Sequence, residues 1–247
     1  MTSPRTDPRT DPGAERRTER RARRTGGGAG TLLARLPETG LRLAAPLWLT
    51  GWAVMRAGGN RGANLGWAVA HSIWIIAFGL FGAASVALFR RAVAGGHRRA
   101  AARGALAVAL VGTVAMVGQM GCDLTVGLLS ADRAEMSRRY DSLFAVPGVQ
   151  PVLFQVGPAL LFVGLLALTV LARLAHRLSV TALVLVVVGV AALALGKPLP
   201  GWWRAVEGLG AVCLWAALTA RPPADAATAT DATATGATGV TATGATR

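Results

Sequence analysis

The chain has 247 residues, of which 53% are apolar and only 15% are charged, and its formal net charge is +14. The apolar residues are gathered in long runs that lack the polar stripe of a soluble amphipathic helix, which argues against a soluble globular fold. The arginines flank these runs, so membrane lipids with anionic headgroups are the expected partner of the charge, and nucleic acid is not. We therefore predict an all-α membrane protein, a bundle of transmembrane helices with disordered tails.

Residues 1–40 are predicted to form a disordered, arginine-rich cytoplasmic tail. This segment repeats Arg-Thr-Asp-Pro from Arg5 to Pro12 and has three glycines at 26–28, and nine arginines lie between Arg5 and Arg35. Low hydrophobicity combined with charge, proline and glycine is typical of disorder. No apolar core with a small-residue cleavage site follows closely, so a cleaved export signal is not predicted.

Residues 41–220 are predicted to form the helical bundle. A helix needs about 20 apolar residues to cross a hydrocarbon core about 30 Å thick. Residues 221–247 consist mainly of Ala, Thr, Gly and Asp and are predicted to be a second disordered tail. The predicted spans are about 41–57, 65–89, 105–129, 151–172, 178–196 and 202–220.

The first of these segments decides the number of crossings. Its apolar part, Leu43 to Met55, covers only about 20 Å, unless the helix begins earlier and Arg42 and Arg56 reach the two interfaces. If it crosses, both tails and the connection 90–103 face the cytoplasm, with 19 Lys and Arg residues inside and 7 outside. If it does not cross, the arginine-rich amino terminus lies outside, against the positive-inside rule. We therefore predict six spans, with five as the alternative.

The connection 130–150, predicted to lie outside, contains a short helix of its own. Ser130 is the expected N-cap of a helix reaching Phe144, and Glu135 and Arg139 have the spacing of an ion pair. Acidic side chains of this connection would overhang the outer end of the bundle, namely Asp132, Glu135 and Asp141.

One face of this short helix is apolar. Met136, Tyr140 and Leu143 or Phe144 would share it. Such a face suits a helix that lies along the membrane surface.

Four polar side chains within the predicted spans form the candidate site. Asp123 lies six residues from the outer end of its span, about 9 Å deep, with Gln119 one helical turn below it. His71 lies six residues into its span, and Gln155 lies about four residues into its own. His71, Asp123 and Gln155 would therefore reach similar depths in the outer half of the membrane, where hydrocarbon penalises unpaired polar groups.

Two interpretations of this polar cluster remain open. A His with an Asp partner could pass protons, bind a divalent metal with help from Gln or water, or recognise a polar headgroup. Alternatively, the four side chains hydrogen-bond across helices and fix their packing. Gly112 and Gly127 fall on the same helix face as Gln119 and Asp123, and small residues there would permit close helix approach.

Motifs of several enzyme classes are missing from the sequence. It contains no HExxH, no phosphate-binding glycine loop and no nucleophile elbow. The two cysteines, Cys122 and Cys213, both fall inside apolar runs, so they supply no disulfide framework. No catalytic, cofactor-binding or metal-ligating residue is predicted, and an enzymatic activity is not favoured.

Several local sequences resemble an uncharacterised family of multi-span integral membrane proteins from actinobacteria. They are Trp67-Ala-Val-Ala-His71, Leu80-Phe-Gly82 followed by Arg90-Arg91, Asp132-Arg-Ala-Glu-Met136, Tyr140-Asp141 and Val146-Pro-Gly148. The resemblance covers roughly residues 41–220 and implies a multi-pass protein of the bacterial plasma membrane. It implies no activity and no site residue.

Three functions remain open at this stage. The first is a membrane protein that binds or moves a small polar solute, a proton or a lipid headgroup through the polar cluster. The second is a non-catalytic scaffold that recruits anionic lipid or an acidic partner through its arginine-rich tail. The third is a membrane enzyme that acts on lipid or isoprenoid substrates at the outer face.

Overall fold

The computed structural model describes residues 27–58, 65–94, 96, 98–196 and 199–220, and within these residues it is entirely helical. The remaining parts of both predicted tails lie outside the described residues. Within the described ranges seven α-helices follow one another, with a π-helical turn, Gln150–Val156, directly before the fifth and a 3-10 turn, Gly201–Arg204, before the seventh. The helices are α1 (Gly27–Ala57), α2 (Leu65–Val93), α3 (Arg99–Leu129), α4 (Arg133–Phe144), α5 (Gly157–Leu174), α6 (Val180–Gly196) and α7 (Ala205–Thr219).

Three of the helical segments are long and apolar enough to cross a membrane. They are α2, α3 and the continuous segment Gln150–Leu174 that joins the π turn to α5. Helices α6 and α7 are also apolar but shorter, with 17 and 15 residues. The length and composition of these helices indicate a membrane protein, as the apolar runs predicted.

The first helix begins earlier than the sequence suggested. Helix α1 has 31 residues and contains Pro37 and Pro46, so residues 27–40, assigned above to the disordered tail, are helical. The chain divides into two compact units between Leu36 and Pro37, and the first is described only from residue 27. Within the second unit, the Thr50 hydroxyl donates to the Pro46 carbonyl at 2.9 Å, inside the last turns of α1.

Small residues allow the helices to pack at short distance. A Cβ on Gly112 of α3 would overlap the backbone of Leu161 in α5, and a Cβ on Gly164 of α5 would overlap the backbone of Ala109. Helices α6 and α7 meet in the same way at Gly189. Lipid gives little hydrophobic drive for association between helices, so close van der Waals contact of this kind holds the bundle together.

The short helix α4 has a different cap from the one predicted. Its N-cap is Asp132, whose carboxylate accepts from the Glu135 amide at 2.8 Å. The prediction of Ser130 as the cap is wrong, because its hydroxyl instead donates to the Val126 carbonyl at 2.7 Å and so ends α3. Asp is as good an N-cap as Ser, and it stands directly before the helical run.

Glu135 supports the same end of α4 in two ways. Its carboxylate accepts from the Ala131 amide at 2.8 Å, and it forms the predicted ion pair with Arg139 at 2.6 Å. The Ala131 amide and then the Arg139 guanidinium lower the pKa of Glu135 below its usual range. Asp132 and Glu135 therefore begin and stabilise a helix.

Candidate functional site

Polar side chains collect at one end of the bundle, the end at which α4 connects α3 to the π turn. They form two neighbouring features. One is a buried network around His71 and Asp123, and the other is a cavity beside it.

The network centres on His71 of α2 and Asp123 of α3, which are only 2% and 7% exposed. The imidazole Nε2 lies 3.8 Å from Oδ2 of Asp123. The other ring nitrogen, Nδ1, is 2.8 Å from the Trp67 carbonyl, which can only accept, so Nδ1 carries a hydrogen. Nε2 and Oδ2 face each other, and a proton on either atom would make the interaction between them attractive. The pair can therefore hold one proton between α2 and α3.

Asp123 also binds two aromatic side chains from other elements. The Tyr140 hydroxyl of α4 donates to Oδ1 at 2.6 Å, and the Trp67 indole donates to the Asp123 main-chain carbonyl at 2.8 Å. The indole reaches that carbonyl because Gly127, one turn further along α3, has no side chain, and a Cβ there would overlap the Trp67 ring. Three helices thus meet at Asp123.

The phenol of Tyr140 stays protonated across the physiological range. Burial first, and then the nearby Asp123 carboxylate that accepts its hydrogen bond, raise the pKa of Tyr140 well above its usual value of about 10. The Tyr140 hydroxyl therefore remains a donor to the Asp123 carboxylate, and this bond holds α4 against the end of α3. Phe144 of the same helix adds a second contact, because its ring meets the Phe154 ring edge-on with centroids 5.0 Å apart.

A row of aromatic rings connects the network to the cavity. Trp67 stacks on His71 with ring centroids 4.2 Å apart. The Trp74 ring meets the same His71 ring edge-on, with centroids 5.1 Å apart. The Trp74 indole donates to the Trp48 carbonyl of α1 at 2.9 Å. Trp74 touches the network and also lines the cavity, whereas His71 and Asp123 do not line it.

The cavity has a volume of about 540 Å³ and lies among the apolar helices. Most of its wall is apolar or aromatic. The lining residues come from the second halves of α1, α3 and α6, from the first halves of α2 and α7, and from both sides of the middle of the segment Gln150–Leu174. They include Trp48, Trp74, Phe78, Met116, Gln119, Phe154, Gln155, Phe162, Leu193, Ala194 and Glu207.

Three polar side chains face this apolar space. Gln119 has its Oε1 buried without a hydrogen-bond donor among the described residues. Gln155 lies in the π turn, directly after Phe154, and both line the cavity. A π turn of this kind widens the helix locally and recurs at functional sites, and Pro158, which lacks an amide hydrogen, favours it here. Glu207 in the first turn of α7 accepts from the Trp52 indole at 3.0 Å.

The four predicted cluster residues thus divide into two pairs. His71 and Asp123 lie together in the buried network, and Gln119 and Gln155 line the cavity. Of the overhanging acids, Asp132 and Glu135 cap α4, and Asp141 is exposed. None of these three lines the cavity.

Two important residues were not singled out from the sequence. Tyr140 was placed on the apolar face of a short helix, but its hydroxyl was not assigned a partner. Glu207 falls near the start of an apolar run, where an acid is commonly an interfacial residue at a helix N-terminus. The available signal was a carboxylate four and five positions after two tryptophans of the same run, Trp203 and Trp202.

Comparison of the chain with models of protein families, with curated proteins and with solved structures found no match.

Proposed function

We propose that this protein spans a bacterial plasma membrane six times, with both tails in the cytoplasm, and that it binds or moves an amphipathic molecule through the cavity among its helices. The single observation that carries the proposal is the cavity itself, an apolar and aromatic space of about 540 Å³ with three convergent polar side chains. Ligand sites in proteins have this size and this composition.

The origin of the cavity wall supports six crossings. Apart from α4, successive helices contribute to one cavity residues that lie alternately in their second and first halves, as antiparallel neighbours would, although the lining part of Gln150–Leu174 extends past its middle. The part of α1 in the second unit, from Pro37 to Ala57, has 21 residues and is about 31 Å long, so it is not too short to cross. Helices α6 and α7 are about 26 and 23 Å long, and they would require tilt-free insertion or a locally thinner bilayer.

The distribution of arginines supports the orientation. Five arginines lie between Arg90 and Arg103, at the end of the bundle opposite the cavity. Under the positive-inside rule this connection faces the cytoplasm, which leaves the cavity and α4 in the outer half. The bacterial plasma membrane is inferred from the resemblance to actinobacterial membrane proteins.

The cavity favours an amphiphile over a small polar solute or a proton. A small solute would exchange water for a mostly hydrocarbon wall and lose hydrogen bonds, whereas an apolar chain or ring would gain contact area there. The polar part of the ligand would meet Gln119, Gln155 and Glu207. In this proposal His71 and Asp123 act through Tyr140 and Trp74, fixing α4 and one wall of the cavity.

A pair of alanines on α6 tests the proposal. Ala194 lines the cavity, and Ala191 is similarly exposed on the same helix but does not line it. We expect native mass spectrometry of the purified protein to detect a bound amphiphile in the parent protein and in Ala191→Phe, and to find it lost in Ala194→Phe. Equal retention of the same bound mass in both variants, or its absence from the parent protein, would contradict the proposal.

A further inference from the structure

The cavity has an electrostatic character that the chain as a whole does not share. The protein carries a net charge of +14, but the only ionisable residue that lines the cavity is the acid Glu207. No Arg, Lys or His is among the lining residues of the described chain. The cavity thus presents one acidic side chain and, among its lining residues, no basic one.

Glu207 is held in a defined position. The Trp52 indole donates to its Oε2 at 3.0 Å, and its Cγ packs against Gly196 so closely that a Cβ on that glycine would overlap it. A Cβ on Gly208, the next residue, would lie 3.6 Å from the Trp52 ring, at ordinary van der Waals distance. The Arg56 guanidinium lies over the same Trp52 ring, 5.2 Å from its centroid, and does not line the cavity.

Aromatic residues supply much of the remaining wall. Trp48, Trp74, Phe78 and Phe154 all line the cavity, and the rings of the first two stack on each other with centroids 6.4 Å apart. Aromatic faces carry partial negative charge and attract organic cations, most strongly where water is displaced. The buried Oε1 of Gln119 adds a further acceptor that no described group satisfies.

Building on the proposed function, we propose that the cavity selects lipophilic organic cations, with Glu207 as the counter-charge and the aromatic rings as the apolar, cation-attracting wall. Taking a carboxylate out of water is costly unless it is paired, and a cation that displaces water from the cavity would supply the pairing charge. A lipophilic anion of the same shape would face the Glu207 carboxylate and the negative ring faces together, so it is excluded.

Two ions of nearly identical shape and opposite charge test this inference on the unmodified protein. Equilibrium binding of radiolabelled tetraphenylphosphonium and tetraphenylborate is measured on the full chain in detergent, with protein-free detergent as the blank. We expect saturable binding of tetraphenylphosphonium, which is displaced by excess unlabelled cation, and no saturable binding of tetraphenylborate. No variant has to fold for this comparison.

Matched charge-neutral variants then locate the site. Glu207→Gln should weaken tetraphenylphosphonium binding by about tenfold or more, because it removes the counter-charge at short range. Glu38→Gln should leave it unchanged, since Glu38 pairs with Arg91 and does not line the cavity. Full binding in Glu207→Gln would overturn the assignment of Glu207.

The outcomes separate this inference from the proposed function. Saturable binding of tetraphenylborate in place of the cation, lost in Ala194→Phe, would overturn the charge preference and leave a ligand-binding cavity. Binding of neither ion, together with no bound amphiphile in the purified protein, would overturn both.

Discussion

The hydroxyl of Tyr140 donates a 2.6 Å hydrogen bond to Oδ1 of Asp123. This bond joins α4, which lies outside the apolar helices, to a carboxylate near the end of α3. The same carboxylate faces His71 of α2 through its second oxygen. The buried Asp123 carboxylate therefore links α4 to both α2 and α3 at this end of the bundle.

Removing the Tyr140 hydroxyl should loosen α4. Tyr140→Phe leaves Asp123 Oδ1 without its donor, and an unsatisfied buried group costs about 1–3 kcal/mol in the free energy of unfolding. Hydrogen exchange of the α4 amides should then become roughly tenfold faster or more. Ser142→Ala on the same helix is the control, because its exposed hydroxyl bonds only to the Arg138 carbonyl. Unchanged exchange in Tyr140→Phe would mean that the hydrogen bond does not hold α4.

Tyr140 is the only tyrosine in the chain, so its ionisation can be followed directly by the ultraviolet absorbance of tyrosinate. Burial raises its pKa, so the folded protein should show little tyrosinate at pH values where the denatured chain is fully ionised. The folded state binds this proton more tightly, so its stability contribution is complete below about pH 10 and falls as the pH rises further. Ionisation near pH 10 in the folded protein would contradict the buried donor.

The tight contact between α3 and α5 predicts a sharp difference between two glycines of α3. Gly112→Ala would force α5 away at Leu161, and overpacking of this kind costs about 1–3 kcal/mol. Gly121→Ala meets no atom within 4 Å and should be neutral or stabilising by up to about 1 kcal/mol. Thermal unfolding in detergent measures both. Equal effects of the two substitutions would contradict the packing described.

The acids of α4 are predicted to differ in the same way. Asp132→Ala removes the N-cap and should cost about 1 kcal/mol, whereas Asp141→Ala, at an exposed position, should change stability by less than about 0.5 kcal/mol. Neither substitution should alter ligand binding, because neither residue lines the cavity. Loss of tetraphenylphosphonium binding in Asp141→Ala would indicate that the site extends onto α4.

Apolar runs alone predicted the positions of α2, α3 and the segment Gln150–Leu174 to within a few residues, because long hydrophobic stretches dominate the folding of such segments. The start of α1 could not be predicted in this way. Residues 27–40 combine Gly, Pro37 and charged side chains, a composition typical of disorder, and their helix depends on continuation into an apolar segment.

Counting residues from the span ends placed His71 and Asp123 at the same depth in the membrane. In the structure His71 Nε2 lies 3.8 Å from Asp123 Oδ2. The same argument could not separate them from Gln119 and Gln155, because it contains no information on which way each helix face points. The contact of Tyr140 depends on how α4 folds back. The exposure of Glu207 to the cavity depends on the packing of α7 against α6, and no local pattern specifies either.

The most direct test of the account is the accessibility of single cysteines to a membrane-impermeant thiol reagent in intact cells, after Cys122 and Cys213 have been replaced. Cysteine is introduced singly at Thr18, Ser142, Ser179 and Ala194. Six crossings with a cavity open to the outer face predict labelling at 142 and 194, and no labelling at 18 or 179. Labelling at 18 would contradict six crossings, and silence at 194 in a protein that is labelled at 142 would contradict a cavity open to the outside.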